Sequence, residues 1–438
     1  MEKETYQELL SILHKEVKPA LGCTGPIGIC YGAAEAYDAV RGGKIKKITA
    51  KVDWGFGCKI DDVAFPGSEM LGAEMAVALG ALCGDPKQGL EVLKDVDPEM
   101  EVKAREVAEL VEMIPQWDRK ALGFFLDVAI ETDIGTGRAV VMERSDGLVL
   151  KERDGVALEE HEADPSAQTA SAPILKYGIA DFYEFAKTAE EEDLALMAEA
   201  ALKNKTLAME TINRRLGAGI GAVLYETAEG NTKQKAKAYA AAGCEARMSG
   251  VNYPAMTCGN KGNVGIAASM PLAALSEDLK LPESELVRAI AFSYLTAISV
   301  ISRLGKSPAM CSCEVAASLG VAAGSVFLQG GSLEMAETAI QMTIPNIFGV
   351  VCDGAKLACA MRISSGTGVA LEAADLALKG VRLANNQGVL AENADKSIDL
   401  MGHTSLYAMV DSDRELCRQL FEKRNIFPLM TFEERQKQ

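Results

Sequence analysis

From about residue 175 to residue 438 the chain runs through long stretches rich in Ala, Gly, Leu and Met with hardly any two-residue alternation, which constrains the fold more than any other feature. A half-buried strand needs a period of two and a helix a period near 3.6. Small residues also let helices approach closely, so the pattern predicts an all-helical domain over 175–438. The polar, proline-containing stretch HEADPSAQTASAP at 161–173 marks its upstream boundary. Ahead of that boundary KIKKITAKVDW (44–54) alternates with β-branched residues and reads as a strand. MLGAEMAVALGAL (70–82) reads as a helix, 89–111 contains a second, and ALGFFLDVAIETD is mixed in character. GRAVVMERSDGLVLKERDG reads as two strands joined by a tight turn near Ser145–Gly147. Residues 44–165 are therefore expected to form a smaller α+β domain. Residues 1–43, an amphipathic helix over 2–18 and a second helix with Pro26 in its first turn, are expected to pack on the helical domain. The expected class is α+β, with a mostly helical main domain and a smaller α+β domain near the N-terminus.

Composition narrows the partners. The 438 residues hold 45 Lys and Arg against 62 Asp and Glu, a net charge of −17. Such a surface disfavours nucleic acid and anionic membranes, and no basic run offsets it. The longest apolar stretches are too short or too glycine-rich to span a bilayer. The N-terminal MEKETYQELLSILHKEV lacks an apolar signal core. A cytoplasmic protein acting on a small molecule is expected, with no nucleic acid and no membrane; a homodimer is compatible with a large Ala/Gly-rich helical domain.

Eleven cysteines in such a chain point away from disulfides. Cys352 and Cys359 lie seven residues apart on an expected helix, two turns along one face, and Cys311 lies 41 residues upstream. On an undistorted helix the two sulfurs would stand roughly 10 Å apart, so sharing a site requires a break near Asp353-Gly354, both poor helix formers. Cys313 sits beside Cys311 in a C-x-C pair but on another helical face. Thiolates suit iron and zinc alike, and spacing does not separate the two; two cysteines packed in a core remain the plain alternative. Cys244 and Cys258 are reserve ligands, whereas Cys30, Cys58, Cys83 and Cys417 read as packing residues.

Cys23, in LGCTGPIG, stands just before a helix, where the positive helix end favours a thiolate; Thr24 would cap that helix. CGNKGNVG (258–265) leads into another apolar helix, with amides suited to a carboxylate and with Asn260, Lys261 and Asn263 as polar groups. In a pyridoxal phosphate enzyme Lys261 would be the Schiff-base residue, but no phosphate cup accompanies it. A tight structural loop is the competing reading of the same segment.

The ordered set LGCTGP, TCGNKGNVGIAAS, CSCEVAA and NIFGVVCDGAKLACAMR resembles the iron–sulfur L-serine dehydratase alpha-chain superfamily, most closely its L-cysteine desulfidase branch. The resemblance runs along nearly the whole chain. It implies a [4Fe–4S] cluster held by Cys311, Cys352 and Cys359, with Cys313 as rival for the first position. It implies Cys23 as proton acceptor; Thr24, Asn260 and Lys261 are expected at the substrate from their own positions in the two glycine-rich loops. The implied activity is α,β-elimination from L-cysteine to pyruvate, ammonia and hydrogen sulfide, with L-serine dehydration as the alternative. A non-enzymatic, zinc-stabilised or cysteine-rich helical protein is the reading from another class.

Overall fold

The computed structural model describes residues 1–66, 68, 70–94, 96–119, 123–162, 172–305, 307–424 and 434. In chain order its helices are α1 (Lys3–Glu16), α2 (Thr24–Val40), α3 (Trp54–Gly57), α4 (Ala73–Cys83), α5 (Pro98–Ala108), α6 (Ile179–Thr188), α7 (Ala195–Arg214) and α8 (Ile220–Glu226), followed by α9 (Thr232–Met248), α10 (Gly262–Leu279), α11 (Glu283–Leu304), α12 (Ser312–Leu328), α13 (Leu333–Ile347), α14 (Cys359–Leu378), α15 (Ala394–His403) and α16 (Val410–Arg424). The strands are β1 (Pro19–Ala20), β2 (Ile45–Asp53), β3 (Val111–Gln116), β4 (Phe124–Thr132), β5 (Thr136–Glu143), β6 (Leu148–Arg153), β7 (Val156–Glu160) and β8 (Ala255–Met256).

The molecule is α+β, a large helical body joined to a smaller sheet-containing layer. Strands β2 to β7 form one sheet in the order β3-β2-β4-β5-β6-β7. Only β2 and β3 run parallel, because α4 and α5 carry the chain back across the sheet between them. The stretch of mixed character is the central strand β4: Phe124, Leu126, Val128 and Ile130 alternate inward and meet Ile27, Ile29 and Ala33 of α2 and Val77 of α4 in one core. The hairpin expected near Ser145–Gly147 joins β5 to β6. The helix expected within 89–111 occupies Pro98–Ala108, where the Asp97 carboxylate accepts the Glu99 N–H at 2.9 Å, and β3 follows it.

The second core belongs to α1 and to helices from α6 to α15. Its centre is α12, buried along nearly its whole length and packed by α10, α11, α13 and α14. Small residues make this possible: a Cβ on Gly320 would lie 2.5 Å from the carbonyl oxygen of Ser293 on α11. Helix α11 has the length and composition to cross a membrane, but 78% of that window is buried inside the protein, so it is a core helix.

Three contacts tie the layer to the body. Strand β1 pairs with β8, stitching the segment before Cys23 to the segment before α10. Helix α16 returns to the layer, where Cys417 packs with Trp54 and Cys58. Lys59 meets Asp413 of α16 at 2.6 Å, both buried.

One helical expectation changes. Cys352 and Cys359 do not share a helix: α13 ends at Ile347, the chain runs irregularly through 348–358, and α14 begins at Cys359. Gly354 has φ +99°, a left-handed conformation that stops a right-handed helix from running through this point.

Candidate functional site

A cavity of about 340 Å³ lies where the helical body meets the sheet layer, a size that suits a small ligand. Four of the described helices begin at it. Cys23 is the N-cap of α2, Lys261 of α10 and Cys311 of α12, while Cys359 is the first residue of α14, and all four line the cavity. Each helix start carries the positive end of its dipole, so the four together favour an anion, although the first N–H groups of α14 are already bonded to the carbonyls of Lys356, Leu357 and Ala358. The sheet layer supplies the opposite wall: Phe56 and Phe124, ring centroids 4.8 Å apart, and the β5–β6 turn, where Arg144 pairs with Asp146 at 2.9 Å.

The loop before α10 is built by its sequence. Gly259 and Asn260 both adopt positive φ (59° and 57°), and Cys258 and Lys261 exchange backbone hydrogen bonds at 3.2 and 3.1 Å across them, as in a type I′ turn. Asn260 is also tied to α1: its Nδ2 donates to Glu16 Oε2 at 2.5 Å and its N–H to the Glu16 carbonyl at 3.2 Å. It therefore lines the cavity with its side-chain amide already bonded. Lys261 starts α10 at the cavity wall. Thr24 lies in the first turn of α2 rather than at the cap, which Cys23 occupies; the Thr24 side chain falls outside the described residues. Cys23 itself is half-buried and lines the cavity.

The structure brings Cys311, Cys313, Cys352 and Cys359 to the same cavity, yet the expected [4Fe–4S] cluster is overturned. Among the described residues there is no group of three or more His, Cys, Asp or Glu that could hold a metal ion. The cysteines read instead as free thiols engaged with their neighbours. Cys311 hydrogen-bonds with Cys313 and Cys352, and the first of these contacts, with burial, pushes it up to about 11. The bond to Cys311 and burial likewise raise Cys352. Cys359 donates to the Gly354 carbonyl at 3.5 Å, and burial pushes it up to about 12. Cys258 is buried away from the cavity against the Tyr294 carbonyl, and Cys244 is buried in the helical core.

Sequence reasoning missed the most unusual group here. Arg247, in the last turn of α9, is 2% exposed and lines the cavity. Its Nη1 donates to Asn263 Oδ1 at 2.7 Å and its Nη2 to the Gly22 carbonyl, immediately before Cys23. Its Nε is buried without a hydrogen-bond partner, and among the described residues no carboxylate lies within ion-pair distance. The guanidinium rests on Gly262, where a Cβ would sit 2.3 Å from its Cζ. Lys59 is the other deeply buried cation lining the cavity, and it is paired with Asp413.

Sequence similarity to known proteins runs along nearly the whole chain. The family model described as serine dehydratase alpha chain matches residues 87–418. A UPF0597 protein of Clostridium tetani (strain Massachusetts / E88) is 32% identical over 419 residues, 95% of this chain and 99% of the relative. UPF0597 proteins of Caldanaerobacter subterraneus subsp. tengcongensis and Shewanella pealeana are each 30% identical, spanning 92% and 97% of this chain and 96% and 100% of their own lengths.

Proposed function

Because the chain belongs to the serine dehydratase alpha chain family, we propose that it is a lyase that removes water from L-serine by α,β-elimination and releases pyruvate and ammonia. The observation that carries this reading is the placement of the Cys23 thiol at the start of α2, in a cavity at which three further helices begin. The Cys23 thiolate takes the Cα proton, the Cα–Cβ double bond of aminoacrylate forms as the Cβ–O bond breaks, and the proton now on Cys23 Sγ passes to the departing hydroxide, which leaves as water and restores the thiolate. Aminoacrylate tautomerises to the imine and takes up water, releasing ammonia. The anion-favouring cavity holds the substrate carboxylate, and enclosure by Phe56 and Phe124 keeps bulk water from the reacting carbon. Asn260 and Lys261 are proposed to border the bound amino acid, and Thr24 to lie at its edge.

The ordered motifs around Cys23, Lys261, Cys311 and Cys359 favour a second reading, elimination of hydrogen sulfide from L-cysteine, since the two reactions differ in the leaving group. Pyruvate and ammonia measured from L-serine and L-cysteine in parallel separate the two. Faster turnover of L-serine is expected; faster turnover of L-cysteine moves the assignment to the desulfidase, and turnover of neither rejects both. Cys23→Ala is expected to lower kcat by about 10²–10⁴, the usual contribution of a positioned proton acceptor, with the melting temperature unchanged. Unaltered kcat would remove Cys23 from that role.

A further inference from the structure

We infer that Arg247 is the residue that binds the α-carboxylate of a small amino acid in this cavity, an inference that rests on the reading above for the identity of the ligand. A buried charge is costly unless it is paired. Nearby cavity cations are closed by anions: Lys59 by Asp413 at 2.6 Å, Arg144 by Asp146 at 2.9 Å and Arg362 by Asp353 at 2.8 Å. Among the described residues Arg247 has only neutral acceptors, Asn263 Oδ1 and the Gly22 carbonyl, and its buried Nε has no partner. Two of its five N–H groups are held by neutral acceptors, which fixes the guanidinium plane without cancelling its charge. The missing anion is a carboxylate, which matches the planar fork of an arginine.

Geometry sets the partner's place. Arg247 lies on the first residue of α10, so an anion beside it also meets the N–H groups of that helix start. Because Nη2 grips the residue that precedes Cys23, the same contact fixes the thiol relative to the carboxylate. A small amino acid anchored at Arg247 therefore places its Cα near Cys23, one bond beyond the carboxylate carbon. Absence of a side chain at Gly262 is what leaves the guanidinium room to lie there.

The test uses L-alanine, which keeps the carboxylate but has no leaving group, and L-alaninamide, which lacks the charge, with binding read by calorimetry on the full chain. The unmodified protein is expected to bind L-alanine and to bind L-alaninamide at least tenfold more weakly. Arg247→Gln is expected to weaken L-alanine binding by about 10- to 100-fold, the range for losing a buried charge-assisted contact, and Arg247→Lys to lose less. Asn263→Asp supplies the missing counter-charge from the protein itself. It is expected to block L-alanine while leaving the melting temperature unchanged or higher, so it decides the matter even if Arg247→Gln does not fold. Equal binding of the acid and the amide, no binding of L-alanine, or undiminished binding in Asn263→Asp overturns the inference. The outcomes also separate this site from the proposed reaction. Arg247-dependent binding of L-alanine without pyruvate from L-serine or L-cysteine sinks the reaction and keeps the anchor; pyruvate formation with an unchanged KM in Arg247→Gln keeps the reaction and sinks the anchor.

Discussion

Helix α9 carries two buried charges two residues apart, at Glu245 and Arg247, and each meets the start of another helix. At the start of α8 the Glu245 carboxylate accepts the N–H groups of Ile220 and Gly221 at 3.1 and 2.9 Å. The dipole and the anion satisfy each other, and that region is closed. At the start of α10 the neighbour is Arg247, a cation at the positive end of a dipole, with no anion among the described residues to offset it. The first arrangement stabilises the fold; the second is unfavourable by itself and becomes favourable when an anion enters. The difference marks which buried charge serves structure and which serves a ligand.

The sharpest way to break this contrast is to open a charge that is now closed. Asp413→Ala leaves Lys59 buried at the cavity wall with its partner gone, and is expected to cost about 3–5 kcal/mol of unfolding free energy in urea. A loss below about 1 kcal/mol would mean that the pair is not closed in the sense used here.

Asp53 offers a pH-dependent version. It caps α3 through the Gly55 N–H at 2.9 Å, faces Arg119 at 3.5 Å, and keeps Oδ2 without a hydrogen bond. Burial outweighs the pull of Arg119 and lifts its carboxyl from an ordinary 3.8 to about 6. Between those values the folded chain holds a proton that the unfolded chain has released, so stability is greatest below the window and falls as pH rises through it. The fall attributable to Asp53 is roughly 3 kcal/mol at about 1.36 kcal/mol per pH unit. Urea unfolding at pH 4 and pH 6.5 should show about 2 kcal/mol of this loss in the unmodified protein relative to Asp53→Asn; parallel behaviour of the two would reject it.

The smallest expected effect sharpens the comparison directly. Glu245→Gln keeps the shape but removes the anion from the α8 start, and should lower stability by about 2 kcal/mol. L-alanine binding should stay within twofold of the unmodified protein. A large loss of binding would show that the two buried charges of α9 act as one site rather than two.

Much of the local structure was legible because it depends on neighbours in sequence. Alternation in KIKKITAKVDW, the Gly-Asn pair before α10 and the Ala/Gly-rich runs each state a backbone preference that the fold keeps. Strand β4 was harder to read because FFLDVAIET lies in the middle of its sheet, where the outward face is half covered and polar alternation is weak. The single helix expected across Cys352 and Cys359 failed at Gly354, where a local break displaces the helix start to Cys359.

By itself the sequence determined the class of fold and the place of Cys23 just before a helix, since both follow from periodicity and capping over a few residues. It did not determine what those cysteines do together: three spaced thiols suggested a cluster, while tertiary packing engages Cys311 with Cys352 and turns Cys359 toward a carbonyl. Nor could it single out Arg247, which in CEARMSG looks like any cation in the last turn of a helix. Only tertiary structure buries that guanidinium against Gly262, Asn263 and the residue before Cys23, because the absence of a counter-charge is a property of everything packed around a group and not of its neighbours in the chain.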